Sequence, residues 1–169
     1  MRCLWYLIWT VAFTPVCLAQ TDVPSGTLVK LHMETMLVPS PAEVDVLLPP
    51  GYDELTEPVP LFLWLHGGMS GKNFLEHIMR HHIERAWANG DLLPCVFAAP
   101  VTGASFYIDW HDGSQQWDTF ITGQLLTYMR REYRVSQNRD GTIIGGSSAG
   151  GQGTLRIAFR HPEMFAVAT

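Results

Sequence analysis

The stretch TIIGGSSAGGQGTLRIAF, residues 142–159, restricts the fold more than any other part of this 169-residue chain. A β-branched run passes through glycines flanking two adjacent serines and continues at once in a helical apolar pattern. A strand that turns this sharply into a helix belongs to a layered α/β architecture. Gly146-Ser147-Ser148-Ala149-Gly150 fits Gly-x-Ser-x-Gly with Ser148 in register,. Taking Ser147 instead puts Ala149 where the second glycine belongs, and a methyl group where strand and helix pass closely,. Gly146 and Gly150 are therefore the elbow glycines and Ser148 the candidate nucleophile. A phosphate loop fits poorly, because no Gly-Lys-Ser/Thr follows and the chain is acidic,.

The rest of the sequence supplies matching layers. Two-residue alternation marks strands over 27–38 and 42–48, separated by Pro-Ser-Pro,. VPLFLWL (59–65) and LPCVFAAP (93–100) are apolar on both faces, as in parallel strands covered from both sides,. GTIIG (141–145) is the fifth strand. Between them, residues 73–88 repeat apolar positions at Leu75, Met79, Ile83 and Ala86, with Ile78 alongside, and stop at Asn89-Gly90,. A second stripe holds Trp117, Phe120, Ile121, Leu125, Tyr128 and Met129,. A third helix runs from Ala149 to Arg160 and ends near His161-Pro162,. The expected fold is α/β, a mostly parallel sheet flanked by helices, with ligands gathering at the carboxyl edge of the strands.

Residues 1–19 have a different character: Arg2, an apolar stretch from Leu4 to Phe13, then Cys17-Leu18-Ala19 before Gln20. This is a secretory signal pattern, too short to span a bilayer that needs roughly 20 apolar residues. The expected product is secreted or periplasmic, with no membrane span. With 16 acidic against 11 basic residues, nucleic acid is excluded as a partner,. Removal of residues 1–19 leaves Cys95 as the remaining cysteine, so no internal disulfide can form,.

Attack on an ester carbonyl creates an oxyanion that needs two donors. One is the backbone N–H of Ala149, at the positive end of the following helix. The other is expected from His66-Gly67-Gly68-Met69 after the third strand, with Gly68 the first choice and Met69 the second,. His66 is read as structural, shaping that strand end. FYIDWHDG (106–113) places Trp110 and His111 on a loop at the same edge, where they either line a substrate pocket or pack for structure, Asp112-Gly113 making a turn,. Asp118 reads as an early-helix carboxylate favoured by the dipole. His77, His81 and His82 share one helix without a His-Glu-x-x-His string and are expected to be solvent-facing rather than metal ligands,.

Three stretches together resemble the esterase D-like branch of the α/β-hydrolases, which includes feruloyl esterases, S-formylglutathione hydrolase and mycolyltransferases. LLPPGYDE with PLFLWLHGG resembles the entry to the oxyanion strand, WDTFITGQLLTYMRREYRV the helix before the nucleophile strand, and RDGTIIGGSSAGGQGTLRIAFRHPEMFAVA the nucleophile block. The resemblance implies the α/β-hydrolase fold and a serine esterase acting through an acyl-enzyme. Its substrates would be small-molecule or carbohydrate-linked esters, with no metal or organic cofactor. Acyl transfer is the nearest alternative activity.

The resemblance also implies an acid and then a histidine after the serine, and here only His161 and Glu163 follow,. His161 lies 13 residues beyond Ser148. Through a helix that is about 20 Å, against a hydrogen-bond reach near 3 Å. The expectation is that residues 20–169 form the N-terminal portion of a single domain. The C-terminal strands and the rest of the triad are absent, strand five has an unpaired flank, and this portion alone is inactive. An inactive remnant or binding protein on the same scaffold is the competing reading.

Overall fold

The computed structural model describes residues 23–68 and 71–169; the signal pattern at 1–19 and the candidate donor Met69 lie outside the described residues. A six-stranded sheet has the order β1-β2-β4-β3-β5-β6. Its strands are β1 (Thr27–Met33), β2 (Ala42–Leu48), β3 (Leu61–Leu65), β4 (Val96–Pro100), β5 (Thr142–Gly146) and β6 (Val167–Ala168). β1, β2 and β4 pair antiparallel in turn, whereas β4, β3, β5 and β6 are parallel. The fold is thus the expected α/β sheet flanked by helices.

Alternation along the strands divides the core in two. Val44, Val46, Leu61, Leu63 and Ile144 face one side. They meet Phe120, Ile121, Leu125 and Met129 of the long helical segment and Ile157 of α4 (Ala149–Arg160). That long segment is α2 (Trp117–Thr119), a π-helical stretch Phe120–Leu125 and α3 (Leu126–Glu132). The opposite side carries Leu47, Phe97 and Ala99, covered by Leu75 and Ile83. Ile83 belongs to α1 (Arg80–Asn89), which Gly90 closes in the left-handed conformation at φ 76.

Two sequence expectations change. Ile78, read with the apolar face of its helix, is 54% exposed. Residues Leu75–Met79 form a π-helical turn, whose wider spacing rotates side chains away from a 3.6-residue stripe,. Beyond the five expected strands, β6 pairs with the flank of β5 that was expected to be bare, through Ile143↔Val167 and Ile144↔Ala168. Two residues carry no readable alternation, so tertiary pairing alone reveals this strand. Among the described residues no helix is long and apolar enough to cross a membrane.

The central register positions the site. β3 and β5 are hydrogen-bonded neighbours aligned so that Leu65 faces Gly146. Both glycine-rich loops therefore leave the sheet side by side and at the same level.

Candidate active site

At the end of β5 the chain reverses into α4 within two residues, and Ser148 takes the strain. Its backbone lies at φ 54, ψ −117, a region a non-glycine residue occupies at a cost of about 1–3 kcal/mol,. It is exposed at the amino end of α4. Ser147, also exposed, is not among the positive-φ residues. Its N–H donates to Leu65 O at 3.3 Å, and its own carbonyl accepts from Gly150 N–H at 2.8 Å. The glycines on either side are imposed by main-chain approach. A Cβ on Gly150 would lie 1.9 Å from Leu65 O, and one on Gly146 2.5 Å from the same oxygen. Ala149 is the first residue of α4, where backbone N–H groups have no partner four residues back,.

The loop after β3 lies directly against this bend. A Cβ on Gly67 would sit 3.0 Å from Ser147 Oγ and 3.2 Å from Ser148 Cβ. Gly68 follows in the left-handed conformation with open space around it. His66 is 2% exposed and held at both ring nitrogens. Thr102 N–H donates to Nε2 at 3.2 Å, so that nitrogen carries no proton; Nδ1, 3.1 Å from Gly67 O, must then be the donor to that carbonyl,. Burial pushes the imidazole pKa below its ordinary value. His66 is therefore a neutral structural group at the strand end, engaged away from both serines.

Tyr107 is a site residue that no sequence pattern marks. It is 1% exposed, and its hydroxyl donates to His66 O at 2.7 Å. It belongs to the aromatic loop in which Trp110 and His111 stood out. Trp110 lines a cavity of about 580 Å³ with Glu43, Thr102, Ser105, Gln115 and Trp117. His111 is exposed and is not among the residues lining it. The cavity joins the loop after β3 through Thr102, which holds His66.

His161 is committed elsewhere. Its Nε2 lies 3.0 Å from Asp118 Oδ1, and Arg160 Nη1 lies 3.0 Å from Asp118 Oδ2. Asp118 stands in the first turn of α2, as its helix-start reading has it, but it is 1% exposed and ties the far end of α4 to α2. About 18 Å of helix separates that pair from Ser148. His77, His81 and His82 are exposed. Among the described residues no group of three or more His, Cys, Asp or Glu side chains could hold a metal. Cys95 is buried, and burial raises its thiol to about 11, which makes it a packing residue,.

Comparison with known proteins gives consistent findings. The family model described as "Putative esterase" matches residues 36–169. Over 72 residues the chain is 39% identical to the MPT51 antigen of Mycobacterium leprae, covering 41% of this chain and 23% of that protein. Over 130 residues it is 28% identical to Esterase Rv1288 of Mycobacterium tuberculosis, covering 75% of this chain and 28% of that protein. Among solved structures, a ferulic acid esterase superposes with a TM-score of 0.76 at 23% identity, covering 85% of this chain and 57% of that one. An S-formylglutathione hydrolase from Agrobacterium tumefaciens gives 0.65 at 23% identity, covering 88% and 58%. The chain thus spans about a quarter of the length of these curated relatives and somewhat over half of the matched structures.

Proposed function

This chain belongs to the esterase family, and from that membership we propose that it carries the nucleophile half of a serine esterase, with Ser148 forming an acyl-enzyme. Ser148 Oγ bonds to the acyl carbon, and the carbonyl electrons move onto oxygen. The N–H groups of Ala149 and Gly68 donate to that oxyanion. Collapse expels the alcohol, which takes the serine proton by way of a base, and water then releases the acid from the ester on Ser148. The single observation that carries this reading is the strained backbone of Ser148 at the turn from β5 into α4, with Gly67 packed against it.

The base and its orienting acid are assigned to polypeptide outside residues 20–169. What supports this is the engagement of both candidate imidazoles, His66 with Thr102 and Gly67 and His161 with Asp118. The chain's 57% coverage of the ferulic acid esterase points the same way. Export directed by residues 1–19 belongs to the same reading, and amino-terminal sequencing of the mature protein should begin at Gln20. The ester substrate occupies the carboxyl edge of the sheet, and the cavity beside Trp110 accommodates one of its two halves.

The test is turnover of p-nitrophenyl acetate by the protein expressed from its complete reading frame. Ser148→Ala should lower kcat by about 10³-fold or more with the fold intact. Undiminished turnover by that variant refutes the assignment.

A further inference from the structure

Tyr107 sits in an improbable piece of backbone. Phe106 at φ 53 and Tyr107 at φ 59 are consecutive non-glycine residues in the left-handed region, an arrangement that persists only when its surroundings over-determine it,. Arg156 Nη1 donates to Phe106 O at 2.9 Å, and Tyr107 N–H donates to Ser105 Oγ at 3.1 Å. The Tyr107 ring meets His66 edge-on with centroids 5.6 Å apart. On its other side it presses on α4 so closely that a Cβ on Gly153 would lie 2.6 Å from the ring. The phenol is thus a wedge between the end of β3 and the helix that begins at the elbow.

A trans peptide points its C=O and the next N–H in opposite directions. With His66 O held by the Tyr107 hydroxyl, the N–H of Gly67 is turned away from Tyr107. With Gly67 O held by His66 Nδ1, the N–H of Gly68 is turned away from the imidazole. Glycine peptides otherwise flip readily, since both signs of φ are open to them. We infer that Tyr107 is a positioning residue for the oxyanion site: its hydroxyl, acting with the His66 ring, locks the two consecutive peptides 66–67 and 67–68 so that their N–H groups present outward beside Ser148. This rests on the reading of Ser148 as the nucleophile, since only then does the orientation of those N–H groups matter to a reaction.

Tyr107→Phe removes the hydroxyl and keeps the ring, so the wedge between β3 and α4 survives. The measurement is backbone 15N relaxation by NMR, which needs no turnover. Gly67 and Gly68 should gain mobility, with order parameters falling from about 0.85 toward 0.6 or μs–ms exchange appearing, while Leu63 and Ile144 in the sheet keep wild-type values. In the p-nitrophenyl acetate assay the same variant should lose about tenfold in kcat with KM unchanged. Unchanged relaxation at Gly67 and Gly68 overturns the lock. Greater mobility with wild-type kcat, in an enzyme that Ser148→Ala inactivates, overturns its role in the reaction. Wild-type turnover by Ser148→Ala, in contrast, refutes the nucleophile and leaves the relaxation result to decide the lock by itself.

Discussion

The two glycine-rich bends at the edge of the sheet do related work by different means. The bend after β5 is held by main chain against main chain: Gly146 and Gly150 let Leu65 O approach to distances that exclude any side chain. The bend after β3 is held by side chains brought from far along the sequence, Thr102 on the ring of His66 and Tyr107 on its carbonyl. The first is stiff because there is no room for anything else. The second stays in place only while buried polar partners remain paired, so it should respond to mutation and pH where the first does not.

The strongest challenge to this contrast is Gly150→Ala. Its methyl would overlap Leu65 O and the chain must separate β3 from α4, which should cost about 4 kcal/mol or more or prevent folding,. Urea denaturation measures this, and a loss below about 1 kcal/mol would remove the idea of a steric bend. Gly68→Ala should cost much less. Nothing stands within 4 Å of the added methyl, so only the left-handed backbone is penalised, by about 1–2 kcal/mol,. A loss as large as that of Gly150→Ala would mean that the two bends are built alike.

A smaller effect separates the bends by pH. His66 is buried with its pKa lowered, so the unfolded chain binds this proton at a higher pH than the folded one. Its contribution to stability is complete above the unfolded value of about 6.5 and declines as pH falls below it toward the folded pKa. Wild type should lose stability between pH 7.5 and 5.5 relative to His66→Gln, and parallel pH curves for the two proteins would count against this. Smallest in its effect on the two bends is Asp118→Asn at the far end of α4. There a buried carboxylate loses its charge between Arg160 and His161, a loss of about 1–2 kcal/mol,. Turnover of p-nitrophenyl acetate should match wild type, because that pair lies a helix length from Ser148.

Legibility follows the same division. The elbow was readable because its requirements are local. A strand, two glycines, a serine in register and a helix fall within a dozen and a half residues, and each states its backbone need in its own chemistry. Trp110 was readable as an aromatic on a loop at that edge, whereas its neighbour His111 in the same loop is exposed and does not line the cavity. Tyr107 stands three residues before Trp110 and carried no distinguishing pattern. Its importance comes from a hydroxyl reaching a carbonyl 41 positions earlier. Asp118 was placed correctly at a helix start, but Arg160 and His161, the side chains that engage its carboxylate, lie more than 40 residues later.

The sequence by itself determined the layered α/β class, the order of strands and helices through β5, and which serine stands at the turn, since hydrophobic period and glycine placement act between near neighbours in the chain. Only the tertiary structure decided that β3 and β5 lie edge to edge with Leu65 opposite Gly146, that a two-residue β6 joins them, and that Tyr107 bonds to His66 O at the loop whose Gly67 packs against the two serines. Those outcomes rest on single hydrogen bonds and close approaches between distant segments, which repeat with no period along the chain.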